Sequence, residues 1–138
     1  MYTSAPLTPA EQQSYNAGQT VYAALCIACH QEDGRGREKI APTLVGSQLA
    51  LAPPAVPIRI LLHGKEGAVG LMPPLGGALN DDQIAAVLTY VRREWGNTGS
   101  PVPSDDVTEI RGLTKTRAKP WTDAELTPAG RGRGGRGQ

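Results

Sequence analysis

The chain has 138 residues, enough for one ordinary domain and an appendage but not for two full domains. It contains no Phe, four Tyr and two Trp, so its own side chains can build only a thin core. The net charge of +1 conceals a mildly acidic body, with seven Lys and Arg against eleven Asp and Glu over residues 1–110, and a basic end, with seven against two over residues 111–138; that body excludes a charge-driven partner such as nucleic acid or an anionic membrane, and no stretch reaches the roughly 20 apolar residues of a membrane span.

Taken in chain order, Leu7-Thr8-Pro9-Ala10-Glu11 starts a helix, with Thr8 as N-cap, Pro9 at N1 and Glu11 completing a capping box. Tyr15, Gly18, Val21, Tyr22 and Leu25 recur at helical spacing and carry that helix to about Leu25. Residues 31–54, rich in Gly, Pro and charge, predict an irregular loop, and AVPIRILLH over residues 55–63 predicts a short helix stopped by Gly64. Residues 64–79 hold too many Gly and Pro for regular structure. Asn80 then caps the strongest helix: Asp81 and Asp82 suit its positive end, and Ile84, Val87, Leu88, Val91 and Trp95 form one apolar stripe. Arg92 and Arg93 lie near its C-terminal end, with Gly96 as the stop. After the linker NTGSPVP, Ser104-Asp105-Asp106 predicts a capped helix to about Arg111, and Thr122–Glu125 a second capping box. GRGRGGRGQ at the end is low-complexity and reads as disordered.

The chemistry is concentrated in Cys26-Ile27-Ala28-Cys29-His30, the Cys-x-x-Cys-His pattern of c-type haem attachment. Two thiols three positions apart on a helical turn reach the two vinyl groups of one porphyrin edge, and the next residue sets its imidazole beneath the iron. An embedded flat cofactor also supplies the apolar volume that the composition lacks. A zinc site needs further ligands, and only His63 remains. A thioredoxin-like pair needs a preceding strand, where this chain is helical. Met72, the only internal methionine, lies in Leu71-Met72-Pro73-Pro74 and is the candidate second axial ligand, because proline stiffens its loop and Met with His is the usual pair in cytochromes c. The competing reading is a methionine that fills a gap in the core.

These residues resemble a class I cytochrome c. Gly18, Tyr22 and Tyr90 match the family's crossing of an N-terminal and a C-terminal helix, and Ala41-Pro42-Thr43-Leu44 matches the end of the loop after the attachment site. The resemblance implies that the Pro42 carbonyl accepts the Nδ1–H of His30 and that Leu44 packs on the porphyrin face. The chain is also similar, over about residues 14–127, to cytochrome domains fused to bacterial periplasmic and membrane-associated dehydrogenases. Leu62-His63-Gly64, Met72-Pro73, Asp82 through Arg92 and Trp95-Gly96-Asn97 carry that similarity. The segment Lys65–Leu71 is shorter than the loop those domains often have.

The expectation is therefore an all-α, cytochrome c-like fold of three main helices around one covalently bound haem c. Residues 1–98 form the haem domain, residues 99–129 an extension that folds back with Trp121 packed against it, and residues 130–138 a disordered Gly/Arg tail. The haem is held by Cys26, Cys29, His30, Pro42, Leu44, Arg59 and Met72, with Arg59 set to meet a propionate or to form a solvated helix face. His63 reads as a surface histidine closing its helix rather than as a rival ligand. The implied function is electron transfer with His30/Met72 ligation, to and from a redox partner protein or fused dehydrogenase; the alternative is a five-coordinate haem enzyme or gas or peroxide sensor. Arg131, Arg133 and Arg136 resemble an RNA-binding tail, but an exported haem domain has little access to RNA. Bacterial haem is joined to cysteines outside the cytoplasm, so the expected location is the periplasm. The N-terminus lacks the pattern of a signal peptide, so the chain is expected to be a mature form or a domain cut from a longer exported protein.

Overall fold

The computed structural model describes residues 5–67 and 70–126. In chain order these form helices α1 (Pro9–Leu25), α2 (Ile27–His30) and α3 (Ala55–His63), strands β1 (Lys65–Glu66) and β2 (Leu71–Met72), and helices α4 (Asp81–Arg93), α5 (Ser104–Leu113) and α6 (Asp123–Leu126). The helical architecture expected from the sequence is present, with little strand beside it, and no helix among the described residues is long and apolar enough to cross a membrane. The Gly/Arg residues 130–138 lie outside the described residues.

Local chemistry sets the helix starts. Thr8 Oγ1 accepts the Glu11 N–H at 3.2 Å while Glu11 Oε1 accepts the Thr8 N–H at 2.9 Å. Asn80 and Gln83 make the same reciprocal pair at the start of α4, at 2.8 and 2.9 Å. Ser104 is not the cap of α5: Pro103 holds that position, and Ser104 Oγ instead donates to Asp82 at 2.6 Å, tying α5 to α4.

Helices α1 and α4 cross at Gly18. A Cβ on Gly18 would lie 2.0 Å from the Ala86 carbonyl oxygen and 2.9 Å from Tyr90 Cβ, so the two backbones can meet only at glycine. Beside this crossing Tyr90 packs against Tyr15 and Tyr22, with ring centroids 5.2 and 5.4 Å away, and Trp95 closes the group at 5.4 Å from Tyr22 and 5.8 Å from Tyr90. Tilted and edge-on pairs of this kind contribute about 0.5–1.5 kcal/mol each beyond area burial. Four of the six aromatic residues are thereby concentrated at one helix crossing.

The single apolar stripe expected on α4 needs correction, because every residue from Ile84 to Arg92 is buried. Helices α1, α3 and α5 and the segment after α4 surround it. Thr89 survives there because its hydroxyl donates to the Ala85 carbonyl at 2.8 Å and accepts the Val102 N–H at 3.0 Å. Arg92, 3% exposed, donates to the carbonyls of Ala50, Ala52 and Ser100 at 2.9, 2.6 and 2.8 Å. Trp95 is not on the helix at all: it stands in the turn after it, with φ of +56° followed by +84° at Gly96.

Residues 64–79 also depart from expectation. They include a two-stranded antiparallel hairpin in which Lys65 faces Met72 and Glu66 faces Leu71. Trp121 adds a parallel bridge to Lys65. Farther along the chain, Val102, Val107 and Ile110 join the main core with Ile58, Leu61, Ile84 and Leu88, while Leu126 packs with Val56 and Ile60 on the other side of α3.

Replacing Gly18 with Ala is expected to destabilise the protein by about 3 kcal/mol, the upper end of ordinary overpacking, because backbone rather than a flexible side chain opposes the new methyl group. Urea denaturation followed by circular dichroism measures it, and a change below about 0.5 kcal/mol would mean that the crossing opens freely. Truncation after Thr98 removes four buried aliphatic residues and the carbonyl partners that Gly99 and Ser100 give to Arg93 and Arg92, and should lower the denaturation midpoint. An unchanged midpoint would make residues 99–126 an independent arm.

Candidate functional site

Helix α1 ends at Leu25, and Cys26 turns the chain into the short α2. The Cys26 carbonyl accepts the N–H groups of Cys29 and His30 at 3.2 and 2.9 Å, so both cysteines and the histidine share one helical turn. Cys26 is buried and Cys29 exposed, and neither is in a disulfide. Burial pushes the Cys26 thiol up to about 11, with the neighbouring Cys29 adding to the shift.

His30 is 8% exposed, and its Nδ1 lies 3.1 Å from the Pro42 carbonyl oxygen. A carbonyl can only accept, so Nδ1 carries the proton and Nε2 keeps its lone pair. Burial lowers the tendency of this imidazole to take a second proton, and the bond to Pro42 partly offsets the effect. The ring is thus held neutral, with the nitrogen distal to Pro42 ready to donate to a metal.

The loop that brings Pro42 to His30 is held from three directions. Gly36 donates its N–H to the His30 carbonyl at 2.9 Å, and Arg37 and Ala41 exchange backbone bonds at 2.9 and 3.0 Å. Gly36 has φ of +78°, and a Cβ there would sit 2.3 Å from the Ala41 carbonyl oxygen, so no other residue fits the turn. From the far end of α4, the buried Asn97 donates Nδ2–H to the carbonyls of Leu44 and Val91 at 3.1 and 2.9 Å and accepts the Gly46 N–H at 2.9 Å. Trp95 donates Nε1–H to the Glu32 carbonyl at 3.0 Å. Tyr22 reaches the same loop, donating its hydroxyl to the Gln31 carbonyl at 2.6 Å.

Leu44 is half-buried against the main core. Met72 is half-buried on β2 and packs against both apolar clusters. Gly70, just before that strand, lies against the loop after His30, where a Cβ would be 3.0 Å from the Ile40 carbonyl oxygen. Cys26, Cys29, His30, Pro42 and Leu44 therefore belong to one hydrogen-bonded loop system, and Met72 approaches it through Gly70. Arg59 stands elsewhere, its guanidinium 5.7 Å from the centre of the Trp121 ring. His63 is not a surface residue: it is half-buried, with Nε2 2.7 Å from Thr114 Oγ1.

The donor set fits a covalently held haem: two unpaired thiols on one turn, an imidazole whose tautomer presents a lone pair, and a half-buried thioether beside a proline pair. No group of three or more His, Cys, Asp or Glu among the described residues could hold a bare metal ion. Sequence reasoning missed Gly36, and it named Asn97 only within Trp95-Gly96-Asn97, without its role in holding the loop. A Gly in a charged loop and an Asn after a helix-stop Gly are ordinary turn residues, and their partners lie up to 53 positions away.

The cytochrome subunit of fructose dehydrogenase from Gluconobacter japonicus is 34% identical over 106 residues, covering 68% of this chain and 22% of that protein. The cytochrome c subunit of quinone-dependent alcohol dehydrogenase from Gluconobacter oxydans is 28% identical over 110 residues, covering 70% of this chain and again 22% of the relative. The chain thus spans about a fifth of the length of these relatives. Cytochrome c-552 from Thermus thermophilus is 28% identical over 111 residues, 68% of this chain and 83% of that shorter protein. The family model for cytochrome c oxidase, cbb3-type, subunit III matches residues 13–91. With the attachment motif, the loop, Met72 and most of α4 inside a match that covers more than half of its length, the chain belongs to this cytochrome c family of haem-carrying electron-transfer domains.

Proposed function

We propose that this chain carries one haem c, bound through Cys26 and Cys29 and ligated by His30 and Met72, and that it relays electrons between a dehydrogenase and a downstream acceptor in the bacterial periplasm. The observation that carries the reading is the His30 ring, buried and fixed in one tautomer by Pro42. The similarity to dehydrogenase cytochrome subunits supports a dehydrogenase as donor. In this reading residues 1–98 form the haem domain, and residues 99–126 belong to the same folding unit.

When bound, the haem iron supplies a one-electron couple, and thioether ligation raises its potential. The chain's own residues do the rest. Pro42 would hold the imidazole plane and its tautomer, and Gly36 and Asn97 would hold Pro42 and Leu44 in place. Proline on the far side of Met72 restricts the backbone that carries the thioether. Cys29 is the exposed member of the pair, and a haem joined to it would have that side open to a partner protein. Arg59, the other expected haem contact, faces the Trp121 ring instead, so its expected propionate role has no support from its position.

Replacement of Met72 by Ala should abolish the sulfur-to-iron charge-transfer band of the oxidised protein and lower the potential, while the haem stays covalently attached. An unchanged band would remove Met72 from the ligand set. With both axial positions filled, CO added to the reduced wild-type protein at neutral pH should leave its spectrum nearly unchanged. Rapid, tight CO binding would instead establish an open iron, as in a haem enzyme or gas sensor.

A further inference from the structure

We propose that the segment from Thr114 to Leu126 is a strap that keeps Met72 on the iron, with Trp121 as its principal positioning residue. The inference rests on the ligand role of Met72 given above. Strand β1 lies between two partners: Lys65 faces Met72 on one edge and bridges to Trp121 on the other. The Trp121 N–H donates to the Gly64 carbonyl at 3.0 Å, and the Trp121 carbonyl accepts the Glu66 N–H at 2.9 Å. A two-residue hairpin does not hold itself in water, so this third backbone supplies the support that the strand of Met72 lacks.

Side chains secure the same junction. Lys65 Nζ pairs with Asp123 at 2.7 Å. Leu126 packs with Val56 and Ile60 in the cluster against which both Met72 and Trp121 lie. Arg117 stiffens the strap itself: its guanidinium carbon is 3.5 Å from the centre of the Trp121 ring, and its N–H groups donate to the Lys119 and Pro120 carbonyls and to Glu125, all at 2.8 Å at closest. The indole Nε1 is buried without a partner among the described residues, so the faces of the ring, not its N–H, anchor it.

The strap also engages His63, the one histidine of the chain besides His30. Thr114 Oγ1 gives its proton to the Ile110 carbonyl at 2.8 Å, so at its 2.7 Å contact with His63 it accepts, and His63 Nε2 is the donor. Nε2 of His63 is thereby protonated and held at the end of α5.

The test uses full-length oxidised holoprotein in urea, following the sulfur-to-iron band and the helical circular dichroism together, with imidazole affinity measured in buffer. In wild type the two midpoints should coincide. In Trp121→Ala the band should disappear at lower urea than the helices, and imidazole should bind about tenfold more tightly, within the usual range of coupling between separate sites. Trp121→Phe should restore most of both, since the indole N–H makes no bond. If Trp121→Ala gives too little folded protein, Arg117→Ala carries the same comparison. A variant whose band and helices shift together, with imidazole affinity unchanged, overturns the strap while leaving Met72 as ligand. A wild-type protein with no such band overturns both readings.

Discussion

The contact between Gly18 and the Ala86 carbonyl governs more of this molecule than its size suggests. It brings the backbones of α1 and α4 into direct contact, and both helices end at the functional site. Helix α1 delivers Cys26 eight residues after Gly18, about 12 Å along the axis at 1.5 Å per residue. Helix α4 delivers Trp95 and Asn97, whose side chains hold the loop on the far side of His30. A side chain at position 18 would separate the helices and shift the attachment motif relative to the turn that braces it. The aromatic cluster packs around this contact, which explains how a chain without Phe builds a defined core.

From that frame the site follows as a sequence of satisfied polar groups. His30 is buried and would be costly without a partner, and Pro42 supplies one that also selects the tautomer. Pro42 sits on a loop whose turn requires Gly36 and whose exit is tied by Asn97. Arg92 performs a related task from the last turn of α4. Its guanidinium has carbonyls rather than a carboxylate for partners, which fastens the segment before α3 to the segment after α4. A rigid, hydrogen-bonded ligand loop suits a centre that changes charge without changing shape.

What could be read from the sequence was whatever depends on neighbours along the chain. The Thr8–Glu11 capping box, the Asn80 cap and the Cys-x-x-Cys-His motif are local patterns, and their chemistry is complete within five residues. What could not be read depends on distant partners. Trp95 resembles the last residue of an apolar stripe until its ring is seen packed on Tyr22 and its N–H bonded to Glu32. His63 closes its helix as expected, yet its ring is claimed by Thr114, 51 positions later. The hairpin at Lys65 and Leu71 is hidden by flanking Gly and Pro, because its pairing is completed by Trp121 rather than by strand propensity. Asn97 and Arg92 stand in recognisable local positions, but nothing beside them in the chain shows that they bond to Leu44, Gly46, Ala50 and Ala52.

The central claim is that one iron keeps a nitrogen ligand from His30 and a sulfur ligand from Met72 through both oxidation states. X-ray absorption at the iron edge, on oxidised and reduced full-length protein, measures this directly. The expected result is five nitrogen scatterers and one sulfur in each state, at nearly unchanged distances. Six nitrogens, or the loss of the sixth ligand on reduction, would contradict the account.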